Sequence, residues 1–143
     1  RMLTARFVEK WAGRMINIHP ALLPSFKGLD THRRALEAGV RVHGCTVHFV
    51  TPEMDDGPII AQAAVPVLVT DTEETLSSRV LKAEHQLYPL ALQLLAEDKV
   101  QMADGRSVYV NLHEDEKNGL ARLFSPSSWS EDIDLESLAR STP

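Results

Sequence analysis

Two short stretches of the chain combine residue types that suit acid–base chemistry. Residues 15–24 read MINIHPALLP, and residues 54–58 read MDDGP. Side chains two residues apart on an extended segment point the same way, so Asn17 and His19 can act on one substrate atom. Asp55, from the second stretch, can orient the imidazole. An amide donor, an acid–base group and a carboxylate together indicate acyl transfer.

Taken singly, each of these three residues has an ordinary structural interpretation. Asn17 fits a turn at a strand end, His19 a hydrogen-bonded loop histidine, and Asp55 an acidic turn residue. The combination favours a shared site, because both stretches are predicted at strand ends, where α/β folds place their ligands.

The elements that must position these residues alternate between helices and short strands. The 14–18 run is short, apolar and bounded by Gly13 and Pro20, which predicts a buried strand. Asp71 and Glu74 predict a capping pair at the start of the longest helix. In chain order we expect helix 4–12, strand 14–18, loop 20–30, helix 31–38, strand 43–50, turn 51–57, strand 58–67, helix 71–97 and hairpin 99–112.

Composition and charge divide the chain into two parts. Of its 143 residues, 43% are hydrophobic and 24% are charged, as in ordinary globular domains. Residues 113–143 hold seven acidic and three basic residues (−4), whereas residues 1–112 hold thirteen and twelve (−1), which together give the net charge of −5. We therefore expect a domain portion over 1–112 and an acidic, loosely structured extension over 113–143, with a short helix at 132–140.

The same composition argues against several classes of partner and cofactor. The near-neutral body has no basic stripe for nucleic acid, and no apolar run approaches the ~18 residues of a membrane span. A single cysteine, Cys45, excludes an internal disulfide and suits the cytoplasm. No metal is expected, because the other histidines lack ligand spacing: His32, His43, His48 and His85.

The longest predicted helix carries a polar patch whose role the spacing leaves open. Its members are Arg79, Lys82, Glu84 and His85. Spacing alone favours a solvated helix face. The functional alternative is a surface that meets a polar substrate, with Glu84 accepting hydrogen bonds from sugar hydroxyls.

Longer motifs give the chain a family resemblance. They read MINIHPALLP at 15–24, GLDTHRRALEAG at 28–39, HGCTVHFV at 43–50, MDDGP at 54–58 and EHQLYP at 84–89. Over residues 1–105, the chain resembles the phosphoribosylglycinamide formyltransferase family, folate-dependent enzymes of early de novo purine synthesis. The resemblance implies a doubly wound, Rossmann-like α/β formyltransferase fold. It also implies formyl transfer from 10-formyltetrahydrofolate to the amine of phosphoribosylglycinamide (glycinamide ribonucleotide).

The resemblance further implies roles for individual residues. Asn17 would bind the formyl oxygen, His19 would be the general acid, and Asp55 would pair with His19 and favour its charged form. The implied folate pocket is lined by Arg1, Met2, Leu3, Asn17, Thr51, Pro52, Glu53, Met54 and Asp55. The implied contacts of glycinamide ribonucleotide are Leu81, Lys82, Ala83 and Glu84, and no metal is implied.

Two features depart from the family pattern. The sequence does not contain the Gly-Ser-Asn-type turn that grips the substrate phosphate, and residues 113–143 have no family counterpart. We therefore expect the chain to be the C-terminal part of a longer formyltransferase domain, without its N-terminal half. A formyltetrahydrofolate hydrolase and a non-catalytic half-domain that acts in assembly stay open as alternatives. A homodimer also stays open.

Overall fold

The described part of the chain, residues 2–112 of a computed structural model, forms three helices and five strands. In chain order these are α1 (Ala5–Lys10), β1 (Ile16–His19), α2 (Thr31–Ala38), β2 (Val42–Phe49), β3 (Ile59–Pro66), α3 (Glu73–Ala96), β4 (Val100–Ala103) and β5 (Arg106–Tyr109). The predicted element order is confirmed. Arg1 and the predicted acidic extension with its short helix lie outside the described residues. None of the described helices is long and apolar enough to cross a membrane.

Strands β1, β2 and β3 form one antiparallel sheet in that order. The register places Asn17 opposite His48, and His19 opposite Thr46. β1 begins two residues later than predicted and is only partly buried. The reason is its position, because within residues 2–112 β1 is an edge strand with a single neighbour.

Strand β2 is buried on both faces, and the two faces serve different purposes. Its odd-numbered residues Cys45, Val47 and Phe49 belong to the hydrophobic core. Helix α3 packs on that face with side chains at helical spacing, namely Leu76, Val80, Leu87 and Ala91. The even-numbered residues Thr46 and His48 point to the opposite face, because strand side chains alternate. The site is therefore built on the face away from α3.

Cys45 has a packing role in the hydrophobic core. Its side chain is fully buried in the core, and burial raises the pKa of the thiol to about 11. A thiol with so high a pKa stays protonated at neutral pH, so Cys45 behaves as a small apolar side chain.

The start of α3 differs from the prediction. Thr72, not Asp71, caps the helix, and its hydroxyl accepts a hydrogen bond from the backbone N–H of Thr75. The predicted pair of Asp71 and Glu74 is therefore wrong. Asp71 instead accepts hydrogen bonds of 2.6 and 2.8 Å from the guanidinium of Arg79. This ion pair ties the segment before α3 to the second turn of the helix.

The Asp71–Arg79 pair makes a testable contribution to acid stability. The hydrogen bonds from Arg79 hold the pKa of Asp71 well below its usual range. The contribution is therefore complete above the ordinary carboxyl pKa of about 4 and is lost as the pH falls further. We expect Asp71→Asn to lower the free energy of unfolding by about 1.5–3 kcal/mol at neutral pH.

Urea unfolding of the wild type and the variant at several pH values checks this expectation. The gap between them should stay constant from neutral pH to about pH 5 and narrow below about pH 4. Asp30→Asn is the matched control, because Asp30 pairs with Arg33 on the exposed surface and should contribute little. A gap that widens in acid would show that the ion pair is not its source.

Candidate active site

The three predicted catalytic residues come from two segments that meet at one end of the sheet. Asn17 and His19 lie on β1 and share one face of the sheet, while Asp55 lies in the turn between β2 and β3. His19 is buried, and its Nδ1 lies 3.5 Å from Asp55 Oδ1. This is an ion-pair separation, longer than a hydrogen bond.

A three-residue segment, 26–28, holds both members of this pair. The carbonyl oxygen of Phe26 lies 2.8 Å from His19 Nε2, and the backbone N–H of Gly28 donates to Asp55 Oδ2 over 2.9 Å. Between them, Lys27 forms an ion pair with Asp56. Each ring nitrogen of His19 therefore faces an oxygen that can only accept. A protonated ring nitrogen can donate to either oxygen, and these two contacts fix the orientation of the ring.

Asn17 and Asp55 also line a cleft of about 360 Å³ beside the sheet. Of the nine residues predicted to bind folate, the structure brings eight together around this cleft, and Arg1 lies outside the described residues. The eight are Met2, Leu3, Asn17, Thr51, Pro52, Glu53, Met54 and Asp55. Met2, Leu3 and Met54 are exposed at its rim. The cleft therefore combines an apolar lining with a few polar groups, as small-molecule sites do.

His48 is a cleft residue whose place in the site the sequence did not reveal. It lies opposite Asn17 in the β1–β2 register and lines the same cleft. Its Nδ1 lies 2.8 Å from the carbonyl oxygen of Phe49, whereas its buried Nε2 has no partner within residues 2–112. It is buried, as a packed histidine on an alternating strand would be. Only the register, which the sequence does not supply, brings it beside Asn17.

The four residues predicted to contact the nucleotide substrate do not share a surface. Consecutive helical residues are about 100° apart, so four in a row point in different directions. Lys82 and Ala83 line a groove against β3, and Leu81 is exposed. Of the four, only Glu84 lines a hollow beside β1. The other residues that line this hollow are Ile18, His85, Tyr88 and Pro89.

Glu84 lies near His19 but beside the opposite face of β1. Burial raises the pKa of Glu84, and the charges of His85 and His19 act in the other direction. Because Ile18 and His19 point to opposite faces of the strand, a ligand that meets both His19 and Glu84 has to pass around the edge or end of β1.

His32 and His43 form a hydrogen-bonded pair behind the site. His32 Nδ1 lies 3.2 Å from His43 Nε2, and the Phe26 ring packs edge-on against His43. Burial lowers the pKa of His43 to about 4, with smaller contributions from the charges of His32 and His19. The described residues contain no cluster of three or more potential metal ligands.

Comparison with known proteins gives this geometry a family. The family model described as formyl transferase matches residues 1–92, which is more than half of the chain. The chain belongs to the formyl transferase family. The motif segments that carry the resemblance, with Asn17, His19 and Asp55, all lie inside the matched region.

Individual relatives agree with this family. Over 108 residues the chain is 57% identical to the trifunctional purine biosynthetic protein adenosine-3 of Gallus gallus, covering 76% of this chain and 11% of that protein. The crystal structure of phosphoribosylglycinamide formyltransferase from Anaplasma phagocytophilum superposes with a TM-score of 0.74 at 51% identity, covering 79% of this chain and 56% of that one. A formyltetrahydrofolate deformylase from Pseudomonas syringae reaches the same TM-score of 0.74 at 33% identity, over 78% of this chain and 37% of that one.

These similarities confirm the predicted α/β formyltransferase fold and the predicted resemblance to phosphoribosylglycinamide formyltransferases. This member of the formyl transferase family spans about half the length of the solved phosphoribosylglycinamide formyltransferase, with 56% of that chain covered.

Proposed function

We propose that the chain carries the catalytic residues of a phosphoribosylglycinamide formyltransferase in de novo purine biosynthesis. In the complete domain, the formyl group of 10-formyltetrahydrofolate is transferred to the amine of phosphoribosylglycinamide. The observation that supports this most is the environment of His19, whose two ring nitrogens face Phe26 and Asp55 beside the cleft that Asn17 lines. This reaction step implies a cytoplasmic protein.

The proposed reaction uses His19 as a proton donor. The substrate amine attacks the formyl carbon on N10 of the folate, and negative charge develops on the formyl oxygen. The Asn17 amide and protonated His19 donate hydrogen bonds to that oxygen. The His19–Asp55 contact of 3.5 Å is longer than a hydrogen bond, so a substrate oxygen can compete with Asp55 for the proton on Nδ1.

The intermediate then collapses as the bond from the formyl carbon to N10 breaks. The electron pair of that bond goes to N10, and the attacking nitrogen loses a proton. His19, or a water beside Asp55, carries a proton to N10, while the Asp55 carboxylate faces Nδ1 of the His19 ring. The electrophile arrives already activated on the folate, so this step needs no metal from the protein.

The folate is proposed to occupy the cleft. Its pterin ring fits between the apolar residues at 2–3 and the turn at 51–55, where backbone groups can hydrogen-bond to the ring edge. Arg1 is proposed to continue this lining. The formyl group then lies at the end of the cleft where Asn17 and Asp55 are found.

The nucleotide substrate is proposed to contact Glu84 and to run along β1. Half-buried Glu84 can accept hydrogen bonds from the ribose hydroxyls. Lys82 and Ala83 face the groove against β3, so we restrict the proposed contact on α3 to Glu84 and to Leu81, which lies one helical turn away from it.

The remaining part of the formyltransferase domain is proposed to complete the site at the outer edge of β1. That edge has no strand partner within residues 2–112, and an open edge readily accepts another strand. Tyr88 lies beside Ile18 of β1 and is exposed on α3, and Leu81 and Leu92, at helical spacing from Tyr88, are exposed as well. The substrate phosphate would be gripped from this added part, so we assign activity to the complete domain.

The alternative function is formyltetrahydrofolate hydrolysis with water as the acceptor. The observation in its favour is the similarity to the Pseudomonas syringae deformylase, at lower identity than to the phosphoribosylglycinamide formyltransferase. The reacting groups are common to both proposals, so only the acceptor separates them.

An acceptor-dependence assay tests the proposed function. The natural full-length protein is mixed with 10-formyltetrahydrofolate, and folate deformylation is followed with and without phosphoribosylglycinamide. We expect deformylation only with the acceptor, in step with formation of the formylated nucleotide. Equal rates in both reactions would identify a hydrolase, and ligand binding without turnover in either would identify a non-catalytic half-domain.

A further inference from the structure

The hydroxyl of Thr46 makes three hydrogen bonds beneath the proposed active site. Thr46 lies on β2 directly opposite His19 on β1 and opposite Gln62 on β3. Directly paired residues of antiparallel strands share a face, so the three side chains form one row across the sheet. Thr46 is completely buried and does not touch the cleft.

Thr46 binds the backbone that follows His19 at two points. Its hydroxyl donates to the carbonyl oxygen of Ala21 over 2.7 Å and accepts from the backbone N–H of Leu23 over 3.0 Å. Gln62 Nε2 donates to the same hydroxyl and to the carbonyl oxygen of Leu23, both over 3.0 Å. A threonine hydroxyl has one proton and two lone pairs, so every hydrogen-bonding position of Thr46 is occupied.

These hydrogen bonds of Thr46 and Gln62 to Ala21 and Leu23 form a clamp. The clamp fixes the first residues of the 20–28 loop, and the last residues of that loop contact His19 and Asp55. Ala21 and Leu23 are buried, and the loop returns through Phe26, whose carbonyl oxygen faces His19 Nε2. Gly28, two residues later, binds Asp55. A shift of the clamped backbone therefore moves the two groups that orient the His19–Asp55 pair.

We propose that Thr46, supported by Gln62, is a positioning residue that sets the orientation of His19 through the 20–28 loop. Neither side chain touches the reacting atoms in this proposal. The catalytic importance of His19 rests on the proposed function, but its orientation by Thr46 does not.

Replacing the hydroxyl without changing the shape of the side chain tests the proposal. Thr46→Val removes all three hydrogen bonds and leaves the Ala21 carbonyl and the Leu23 N–H without partners. Thr46→Ser keeps the hydroxyl and is the matched control. The readout is the Nε2-bound proton of His19 in long-range ¹H–¹⁵N NMR spectra of the full-length protein, because a side chain with only a packing role would not alter it.

We expect wild type and Thr46→Ser to keep the proton on Nε2, and Thr46→Val to exchange it with water about tenfold faster or more. Gln62→Met is the second variant if Thr46→Val does not fold. Gln62 is exposed, and its replacement removes two of the four hydrogen bonds of the clamp. We expect a smaller acceleration of exchange in that variant. Unchanged exchange in Thr46→Val, or in Gln62→Met where only that variant folds, would overturn the proposal. Equal impairment in Thr46→Ser and Thr46→Val would also overturn it.

Kinetics of the complete enzyme provide a second readout. We expect Thr46→Val to lower kcat about tenfold with little change in KM, and Thr46→Ser to restore kcat. The NMR measurement needs no turnover. A protein without transferase activity would therefore contradict the proposed function while the effect of Thr46 on His19 could still be measured.

Discussion

His19→Ala is expected to lower kcat of the complete enzyme by about 10²–10³, with little loss of stability. The alanine removes a hydrogen-bond donor to the developing oxyanion and the proposed source of the proton for N10. Asp55→Asn should lower kcat as well, because a neutral amide no longer places a negative charge beside His19 Nδ1. Steady-state rates, together with urea unfolding of each variant, separate the catalytic effect from loss of fold.

Asp56→Asn is the matched control for the carboxylate. Asp56 is the next residue in the same turn, and its side chain pairs with Lys27 at the surface instead of with His19. We expect this variant to keep nearly full kcat. If His19→Ala retained wild-type kcat, or if Asp56→Asn were as impaired as Asp55→Asn, the assignment of the His19–Asp55 pair would be wrong.

Gly57→Ala is expected to lower the free energy of unfolding by about 3 kcal/mol or more. A Cβ at this position would lie 1.7 Å from the carbonyl oxygen of Phe49, a contact that only backbone movement can relieve. Next to this position, the backbone N–H of Phe49 donates a hydrogen bond of 2.9 Å to the carbonyl oxygen of Pro58. This hydrogen bond joins β2 to the end of the turn. Movement here also displaces Asp55, so kcat should fall even where the variant folds.

Gly105→Ala is the control for the general cost of replacing a glycine. Gly105 has a φ of +71° and open space around its Cα, so alanine there meets backbone strain but no neighbouring atom. We expect a loss of about 1 kcal/mol. Urea unfolding of both variants gives the comparison, and a loss for Gly57→Ala no larger than for Gly105→Ala would rule out the close approach as its cause.

Local sequence patterns were sufficient for most elements of the fold. A strand pattern with two apolar faces predicted β2, which is buried on both faces, and helical spacing predicted α3, which buries one face. The cap of α3 was predicted wrongly because the segment offers several polar residues that can cap. Thr72 caps the helix and Asp71 does not, because the Asp71 carboxylate is hydrogen-bonded to Arg79, eight residues further along the chain.

The predicted site residues show the same difference between what local spacing predicts and what depends on the rest of the fold. Asn17 and His19 were expected to share a face because they are two residues apart, and their place on β1 agrees. The nucleotide contacts over 81–84 stay a prediction. Lys82 and Ala83 line a groove against β3, and of the four only Glu84 lines the hollow beside β1.

Thr46, His48 and the Phe26 carbonyl could not be found from the sequence. Thr46 and His48 acquire their roles from the β1–β2 register, which places them opposite His19 and Asn17. Register depends on the whole sheet and not on local spacing. The Phe26 carbonyl belongs to the backbone, so its residue type carries no signal of its contact with His19.

A double-label experiment tests formyl transfer by this site most directly. The full-length protein receives 10-formyltetrahydrofolate labelled with ¹³C in the formyl group and phosphoribosylglycinamide labelled with ¹⁵N in its amine. Direct transfer predicts a one-bond ¹³C–¹⁵N coupling in the NMR spectrum of the product. In His19→Ala we expect no detectable coupling over the time in which the wild-type enzyme completes the conversion. Label recovered only as ¹³C-formate would contradict transfer to the amine, and undiminished coupling in His19→Ala would contradict the role of His19.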